Sequence, residues 1–193
     1  MNLWWYLARA SGIIAWVMLA AAVIWGILFA TRFLGSRVRP AWTLDLHRWL
    51  GGMSVTFTAI HVAGLVLDDY VEFGAREVLV PMASEWRPTA VAWGIVAAYQ
   101  LIAVQATSLA MKRLTRRLWK WVHMTSFGMF FVASMHAGLA GTDVSNRLYL
   151  ATAALLVMSV VFASAYRVLV SRTRAPSSPP LQPSDQEPTP AGV

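Results

Sequence analysis

The sequence has no cysteine among its 193 residues, and charged residues make up only 13% of it. The absence of cysteine excludes disulfides, cysteine-ligated iron–sulfur clusters and haem attached through thioether bonds. The shortage of charge, beside 58% hydrophobic residues, is typical of an integral membrane protein and not of a soluble domain. No glycine-rich dinucleotide motif opens a helix after a strand, so we expect no nicotinamide- or flavin-binding domain in this chain.

Basic residues outnumber acidic residues and give a formal net charge of +7 at pH 7. In a soluble protein such an excess favours nucleic-acid binding. The membrane composition offers a simpler cause, because cytoplasmic loops of membrane proteins are enriched in Lys and Arg. We therefore expect membrane lipid, and no nucleic acid, among the partners.

Five apolar runs are long enough to cross a hydrocarbon core of about 30 Å as helices. A signal peptide explains the first run less well, because Ala30-Thr31-Arg32 is not a small-residue cleavage site and the apolar part is too long. We therefore predict an all-α integral membrane helical bundle with five transmembrane helices. The predicted spans lie near residues 12–30, 44–67, 89–111, 118–139 and 147–170.

The segments between and after these spans complete the predicted organisation. Residues 68–88 have too few apolar residues to span, so a short helix on the membrane surface is expected there, with a solvated loop as the alternative. Residues 1–174 are predicted to form one membrane domain. Residues 175–193 are rich in proline and serine, and we predict a disordered cytoplasmic tail.

The orientation follows from the Lys and Arg residues on each side of the five spans. Twelve of the 16 fall on the side of the first and third connections and the C-terminus, namely Arg32, Arg37, Arg39, Arg48, Lys112, Arg113, Arg116, Arg117, Lys120, Arg167, Arg172 and Arg174. The other four are Arg9, Arg76, Arg87 and Arg147. We therefore predict a multi-pass cell-membrane protein with its N-terminus outside and its C-terminus in the cytoplasm.

All four histidines of the chain lie in two of the predicted spans, two in each. His47 and His61 are about 21 Å apart along a helix, and His123 and His136 about 19.5 Å. A lone histidine in an apolar helix is usually a packed residue, but ionisable groups within membrane spans mark function by default. Two matched pairs are hard to explain as packing. Because both helices run from inside to outside, we expect His47 to face His123 and His61 to face His136.

Each facing pair of imidazoles offers the two axial ligands that a six-coordinate haem iron needs. We predict two non-covalently held b-type haems, bound by His47 and His123 near the cytoplasm and by His61 and His136 near the exterior. His123 and His136 are thirteen residues apart. At 3.6 residues per turn this separation would leave their side chains about 140° apart around an ideal helix. The second helix must therefore bend or carry a bulge between its histidines, and Gly128 is the place expected for it.

Two further groups of residues are candidates for contact with haem. Gly51, Gly52 and Gly64 either allow close helix packing or let a macrocycle approach the backbone. Basic residues near each site are candidate partners of the haem carboxylates, although topology alone explains basic residues there. These are Arg48, Arg117 and Lys120 for the inner haem, and Arg87 and Arg147 for the outer haem.

The patterns H-x13-H at His47 and His61 and H-x12-H at His123 and His136, on parallel helices, resemble the ferric-reductase-like transmembrane domain family. The resemblance covers about residues 12–170. That family includes NADPH oxidases, ferric reductases and the haem-binding membrane subunit of the bacterial periplasmic methionine sulfoxide reductase system. The resemblance implies haems held by one histidine from each helix and electron flow from the cytoplasm outward. Members commonly have six spans, one more than is expected here, and the larger ones continue into a cytoplasmic flavin and nicotinamide domain.

The expected function is that of a membrane oxidoreductase component that transfers electrons. A separate cytoplasmic flavoprotein or a membrane quinol would be the donor, so flavin or quinone would act through a partner. An extracytoplasmic redox protein, ferric iron or oxygen would be the acceptor. Two alternatives remain: a haem-containing membrane subunit that only assembles a larger respiratory complex, and a transporter that uses the histidines as a proton relay or as metal ligands.

Overall fold

The structure, a computed structural model, describes residues 3–33, 35, 39–68 and 73–173. Over these residues the chain forms seven α-helices and no strand, which confirms the prediction of an all-α membrane bundle. The helices are α1 (Leu3–Thr31), α2 (Pro40–Val66), α3 (Ala75–Leu79), α4 (Pro88–Leu109), α5 (Arg116–Met124), α6 (Ser126–Ala140) and α7 (Arg147–Thr173). The predicted tail, together with Arg37 and Arg174 from the charge count, lies outside the described residues.

Four helices within the described ranges are long and apolar enough to cross a membrane, namely α1, α2, α4 and α7. Proline opens both α2 and α4, where its missing N–H costs no helical hydrogen bond. For this reason α2 begins four residues before the predicted start at residue 44. A single 3₁₀ turn, Met111–Arg113, follows α4.

The remaining predicted span, residues 118–139, is not one helix but is divided at Thr125 into α5 and α6. The backbone N–H and the hydroxyl of Thr125 both donate to the carbonyl of Val122, at 3.1 and 2.7 Å. This 3₁₀-like closure interrupts the α-helical pattern. The helix is therefore interrupted between His123 and His136, but at Thr125 and not at Gly128, which borders open space.

The helices pack in two groups that share a core. α1 runs along α2 and also contacts α6 and α7, while α4 packs against α5 and α6. In the shared core Trp16 stacks on Phe130, with ring centroids 6.2 Å apart, and the indole N–H of Trp16 donates to the hydroxyl of Ser134 at 2.9 Å. Phe130 and Ile27 are fully buried. This apolar core lies between the two levels at which the histidines occur on α2 and on α5–α6.

Gly64 lies where α2 packs closely against α1. A Cβ at Gly64 would lie 3.0 Å from the backbone N of Ala8, so the missing side chain brings α1 and α2 together. Gly52 borders open space instead.

The short helix expected within residues 68–88 is present as α3, which packs against α4.

Candidate functional site: two histidine pairs

The four histidine rings meet as two pairs at two levels of the bundle. The ring centroids of His47 and His123 are 5.9 Å apart, and those of His61 and His136 are 6.2 Å apart. The planes within each pair are inclined by 72° and 77°, respectively. The two pairs are the ones predicted from the spacing of the histidines and from the direction of their helices, which was inferred from the distribution of Lys and Arg. Their role as ligands remains a prediction. We refer to them as the 47/123 pair and the 61/136 pair.

These separations fit two imidazoles on opposite sides of one metal ion. An imidazole nitrogen binds a transition metal at about 2 Å. A ring with bonds of about 1.35 Å places each atom about 1.15 Å from the centroid, so centroids on either side of an ion lie about 6.3 Å apart. Nowhere in the described residues do three or more His, Cys, Asp or Glu side chains converge on a metal position. A ligand set of two suits an iron already held by a macrocycle better than a bare zinc ion, which takes four ligands.

Three of the four rings are anchored by a backbone carbonyl of a neighbouring helix. The Nδ1 atoms of His47, His61 and His136 lie 3.0, 2.7 and 2.8 Å from the carbonyl oxygens of Ala22, Ala8 and Ala90. A carbonyl oxygen only accepts, so each Nδ1 carries the proton and donates it. The neutral ring then keeps the lone pair of Nε2 free for a metal, and the bond fixes the orientation of the ring.

A glycine follows each of these carbonyls by four residues and makes room for the ring. A Cβ at Gly12 would lie 2.8 Å from Nδ1 of His61, and a Cβ at Gly94 would lie 2.7 Å from Nδ1 of His136. At Gly26 the Cβ would lie 3.1 Å from Cε1 of His47. The contacts at Gly12 and Gly94 are too short for a side chain, and the contact at Gly26 is tight enough that the imidazole would have to shift. Glycine at these three positions therefore lets each imidazole reach its carbonyl. We call this arrangement the Ala-x3-Gly clamp: Ala8 with Gly12, Ala22 with Gly26, and Ala90 with Gly94.

The fourth histidine meets a variant of this clamp. Nδ1 of His123 lies 3.4 Å from the hydroxyl oxygen of Ser108, and that hydroxyl donates to the carbonyl of Val104 at 2.7 Å. Val104 and Ser108 are again four residues apart, so Ser108 stands where the other clamps have glycine. The hydroxyl proton is engaged with Val104, and its oxygen therefore accepts from the Nδ1–H of His123.

Sequence reasoning missed the clamps, although the sequence carries a signal for them. The two clamps on α1 are fourteen residues apart, and so are Ala90 and Val104 on α4 and the two histidines on α2. Residues 8–15 (ARASGIIA) and 90–97 (AVAWGIVA) are also identical at five of eight positions. The pair α1 and α2 and the group of α4, α5 and α6 therefore repeat one design, in which the first helix orients the histidines that follow it in the chain.

The surroundings of the 61/136 pair also fit a macrocycle. A cavity of about 240 Å³ with mainly apolar walls is lined by His61, His136 and Arg9 among others. Arg9 forms an ion pair with Asp143, which also lines the cavity. The apolar walls suit a flat hydrophobic ring, and the guanidinium of Arg9 has further N–H groups beyond the two that face Asp143. Arg9 was not among the cations proposed for this site from the sequence.

At the 47/123 pair an aromatic side chain covers one ring. Trp119 stacks on His123 with centroids 5.0 Å apart and an interplanar angle of 22°. Its indole N–H is buried and has no hydrogen-bond partner within the described residues. A buried donor without a partner is costly. A carboxylate of a bound group would satisfy it.

The five basic residues proposed for the haem carboxylates are all exposed. Arg48 is 3.7 Å from Asp45, and both side chains are largely exposed. Arg87 donates to the carbonyl of Leu139 at 2.7 Å and lies over the ring of Trp86. Arg117, Lys120 and Arg147 are exposed. Their proposed contacts with haem remain predictions.

Comparison with known proteins finds one family that matches most of the helices described above. Residues 11–135 match the family described as ferric reductase like transmembrane component. The match includes His47, His61 and His123 and ends one residue before His136, so the pairing of His136 rests on its position opposite His61. No curated protein and no solved structure matches the chain.

Proposed function

Since the chain belongs to the ferric reductase like transmembrane component family, we propose that it carries electrons across a membrane through two b-type haems. The family is a haem-binding transmembrane domain, and membership supports a membrane redox role in general. The finer proposal is carried by one observation, the meeting of all four histidines as two ring pairs 5.9 and 6.2 Å apart.

In this proposal His47 and His123 hold one haem, and His61 and His136 hold the other. A haem at each pair supplies a carrier of one electron. Two histidine ligands at each pair would hold the iron, and this would favour electron transfer over binding of oxygen. Fourteen residues of α2 separate the two levels by about 21 Å, most of a hydrocarbon core of about 30 Å. The Trp16–Phe130 core between them keeps water out.

Two polar groups are candidate partners of the haem carboxylates. Arg9 lines the cavity at the 61/136 pair. The indole N–H of Trp119 stands beside His123 at the 47/123 pair. Each of these groups offers a hydrogen-bond donor to an anion at its site.

We place the donor at the 47/123 pair and the acceptor at the 61/136 pair. The orientation rests on the excess of basic residues on the side of His47 and His123. The exposed cluster Lys112, Arg113, Arg116, Arg117 and Lys120 lies between α4 and His123. This cluster would attract an acidic flavoprotein, and a membrane quinol is the other donor class. The acceptor is a redox protein outside the membrane, ferric iron or oxygen.

The experiment is transfer across a sealed bilayer. Purified protein is reconstituted into phospholipid vesicles that enclose ferricyanide, dithionite is added outside, and the loss of ferricyanide absorbance is followed. Wild type should reduce the trapped ferricyanide, while His47→Ala and His61→Ala should fall to the rate of empty vesicles. Gly138→Ala, at an exposed glycine that borders open space, should match wild type.

Each alternative function gives a different result in the same vesicles. Wild-type vesicles that contain haem but transfer no electrons would support a purely structural haem subunit. Protein without visible absorption would support a histidine-based transporter. A single-histidine variant that transfers electrons at the wild-type rate would rule out a path through both haems.

A further inference from the structure

We propose that Ser108 makes the two haem sites unequal, because it replaces the glycine of the clamp at His123 and thereby raises the reduction potential of the haem at the 47/123 pair. This inference rests on the proposed function, since it presumes a haem at that pair. Ser108 is a positioning residue in this proposal, because it acts on the iron through His123.

The geometry distinguishes His123 from the other three histidines. Their Nδ1 atoms lie 2.7 to 3.0 Å from carbonyl oxygens, whereas Nδ1 of His123 lies 3.4 Å from a hydroxyl oxygen. Where glycine is present, a Cβ would lie 2.7 to 3.1 Å from the imidazole. Ser108 has that Cβ, so His123 is kept away from the carbonyl of Val104 and meets the serine oxygen instead.

The simpler explanation is that Ser108 only bonds back to its own helix, as serine and threonine commonly do. Thr107 does this, with its hydroxyl donating to the carbonyl of Ala103 at 2.7 Å. Ser108 makes the same kind of bond to Val104, but its oxygen also meets His123. Thr107 therefore provides a matched control on the same turn of the same helix.

The strength of the Nδ1–H bond controls how strongly Nε2 donates to a metal. A strong acceptor at Nδ1–H raises the basicity of the ligand. A more basic ligand stabilises ferric over ferrous iron, and the potential of the couple Fe(III) + e⁻ → Fe(II) falls. A long bond to a hydroxyl group, which is a poorer acceptor than a helical carbonyl, has the opposite effect. Only the 47/123 pair contains such a ligand.

The test compares two substitutions that should shift one potential in opposite directions. Ser108→Ala keeps the Cβ but removes the acceptor, so the potential of the haem at the 47/123 pair should rise. Ser108→Gly removes the Cβ and lets His123 reach the carbonyl of Val104, so the same potential should fall. The other haem, and both haems of Thr107→Ala, should keep their wild-type potentials. The measurement is an optical redox titration of the purified two-haem protein.

The haem of the 47/123 pair is identified as the one missing from His47→Ala. Shifts of the same sign in both variants, or no shift in either, would overturn the proposal. If Ser108→Ala does not accumulate, Ser108→Gly alone decides, because its potential must fall below that of wild type. Wild-type protein that binds no haem would refute the proposed function itself, whereas two haems with unchanged potentials would refute only the role of Ser108.

Discussion

The substitution Gly94→Ala tests whether the clamp positions a histidine. The added methyl group would lie 2.7 Å from both Nδ1 and Cε1 of His136 and 3.1 Å from its Cγ. The ring is already fixed by its hydrogen bond to Ala90 at 2.8 Å, so it cannot simply slide away. To relieve the contact, the imidazole must turn, lose that bond and leave its position opposite His61.

The size of the effect can be worked out from these contacts. Overpacking costs about 1–3 kcal/mol, and loss of the hydrogen bond costs about 0.5–1.5 kcal/mol. Alanine is better than glycine within a helix by about 1 kcal/mol. The net loss of about 0.5–3.5 kcal/mol corresponds to about 2- to 300-fold weaker haem binding at the 61/136 pair, at 1.4 kcal/mol per tenfold change.

The assay is the haem content per chain after purification and dilution, with a competing apo-haem protein in excess. Gly94→Ala should lose one haem of two and keep the haem at the 47/123 pair. Gly138→Ala should keep both, because a Cβ there borders open space. Two haems retained in Gly94→Ala at wild-type affinity, with an unchanged spectrum, would show that the close approach to Ala90 is not needed.

Four further outcomes are expected. His47→Ala and His123→Ala should lose the same haem, and His61→Ala and His136→Ala the other; loss of both haems from every variant, in haem-content assays, would contradict separate sites. Because the paired rings are inclined by 72° and 77°, electron paramagnetic resonance should show strongly anisotropic low-spin signals for both haems, and signals typical of parallel imidazoles would contradict the pairing geometry. A reporter fused after Val193 should be cytoplasmic and one inserted near Gly74 external, whereas the opposite pattern would reverse the orientation. NADPH alone should leave the purified 193-residue chain oxidised, while dithionite, or NADPH with a flavin reductase, should reduce it; reduction by NADPH in a preparation free of flavin would contradict a separate donor.

The fold and the pairing could be predicted because membrane sequences carry strong signals. Long apolar runs can satisfy their backbone in lipid only as helices, and the bias of Lys and Arg sets their direction. Histidines within such runs are conspicuous because they are costly there. Because the two histidines are similarly spaced on each helix and the helices are parallel, one pairing remained, in which His47 meets His123 and His61 meets His136.

The break in the second histidine helix and the clamps could not be predicted in the same way. The helical period required a bend or a bulge, but it did not distinguish Gly128 from Thr125, whose hydroxyl group bonds back to Val122. The clamps depend on how two helices approach each other, so a glycine such as Gly12 or Gly94 has a role only once its neighbour is known. From the sequence, Arg9 contributed only to the count of basic residues that sets the orientation. Its place in the cavity wall depends on the packing of α1 against α2.

The most direct test of the central claim is the haem content of the purified wild-type protein. Pyridine haemochrome analysis, combined with quantitative amino-acid analysis, measures the number and type of haems per chain. Two b-type haems per chain, both low-spin in the visible spectrum, are predicted from the two histidine pairs. Zero haems, or one haem that disappears in all four single-histidine variants, would contradict the proposal.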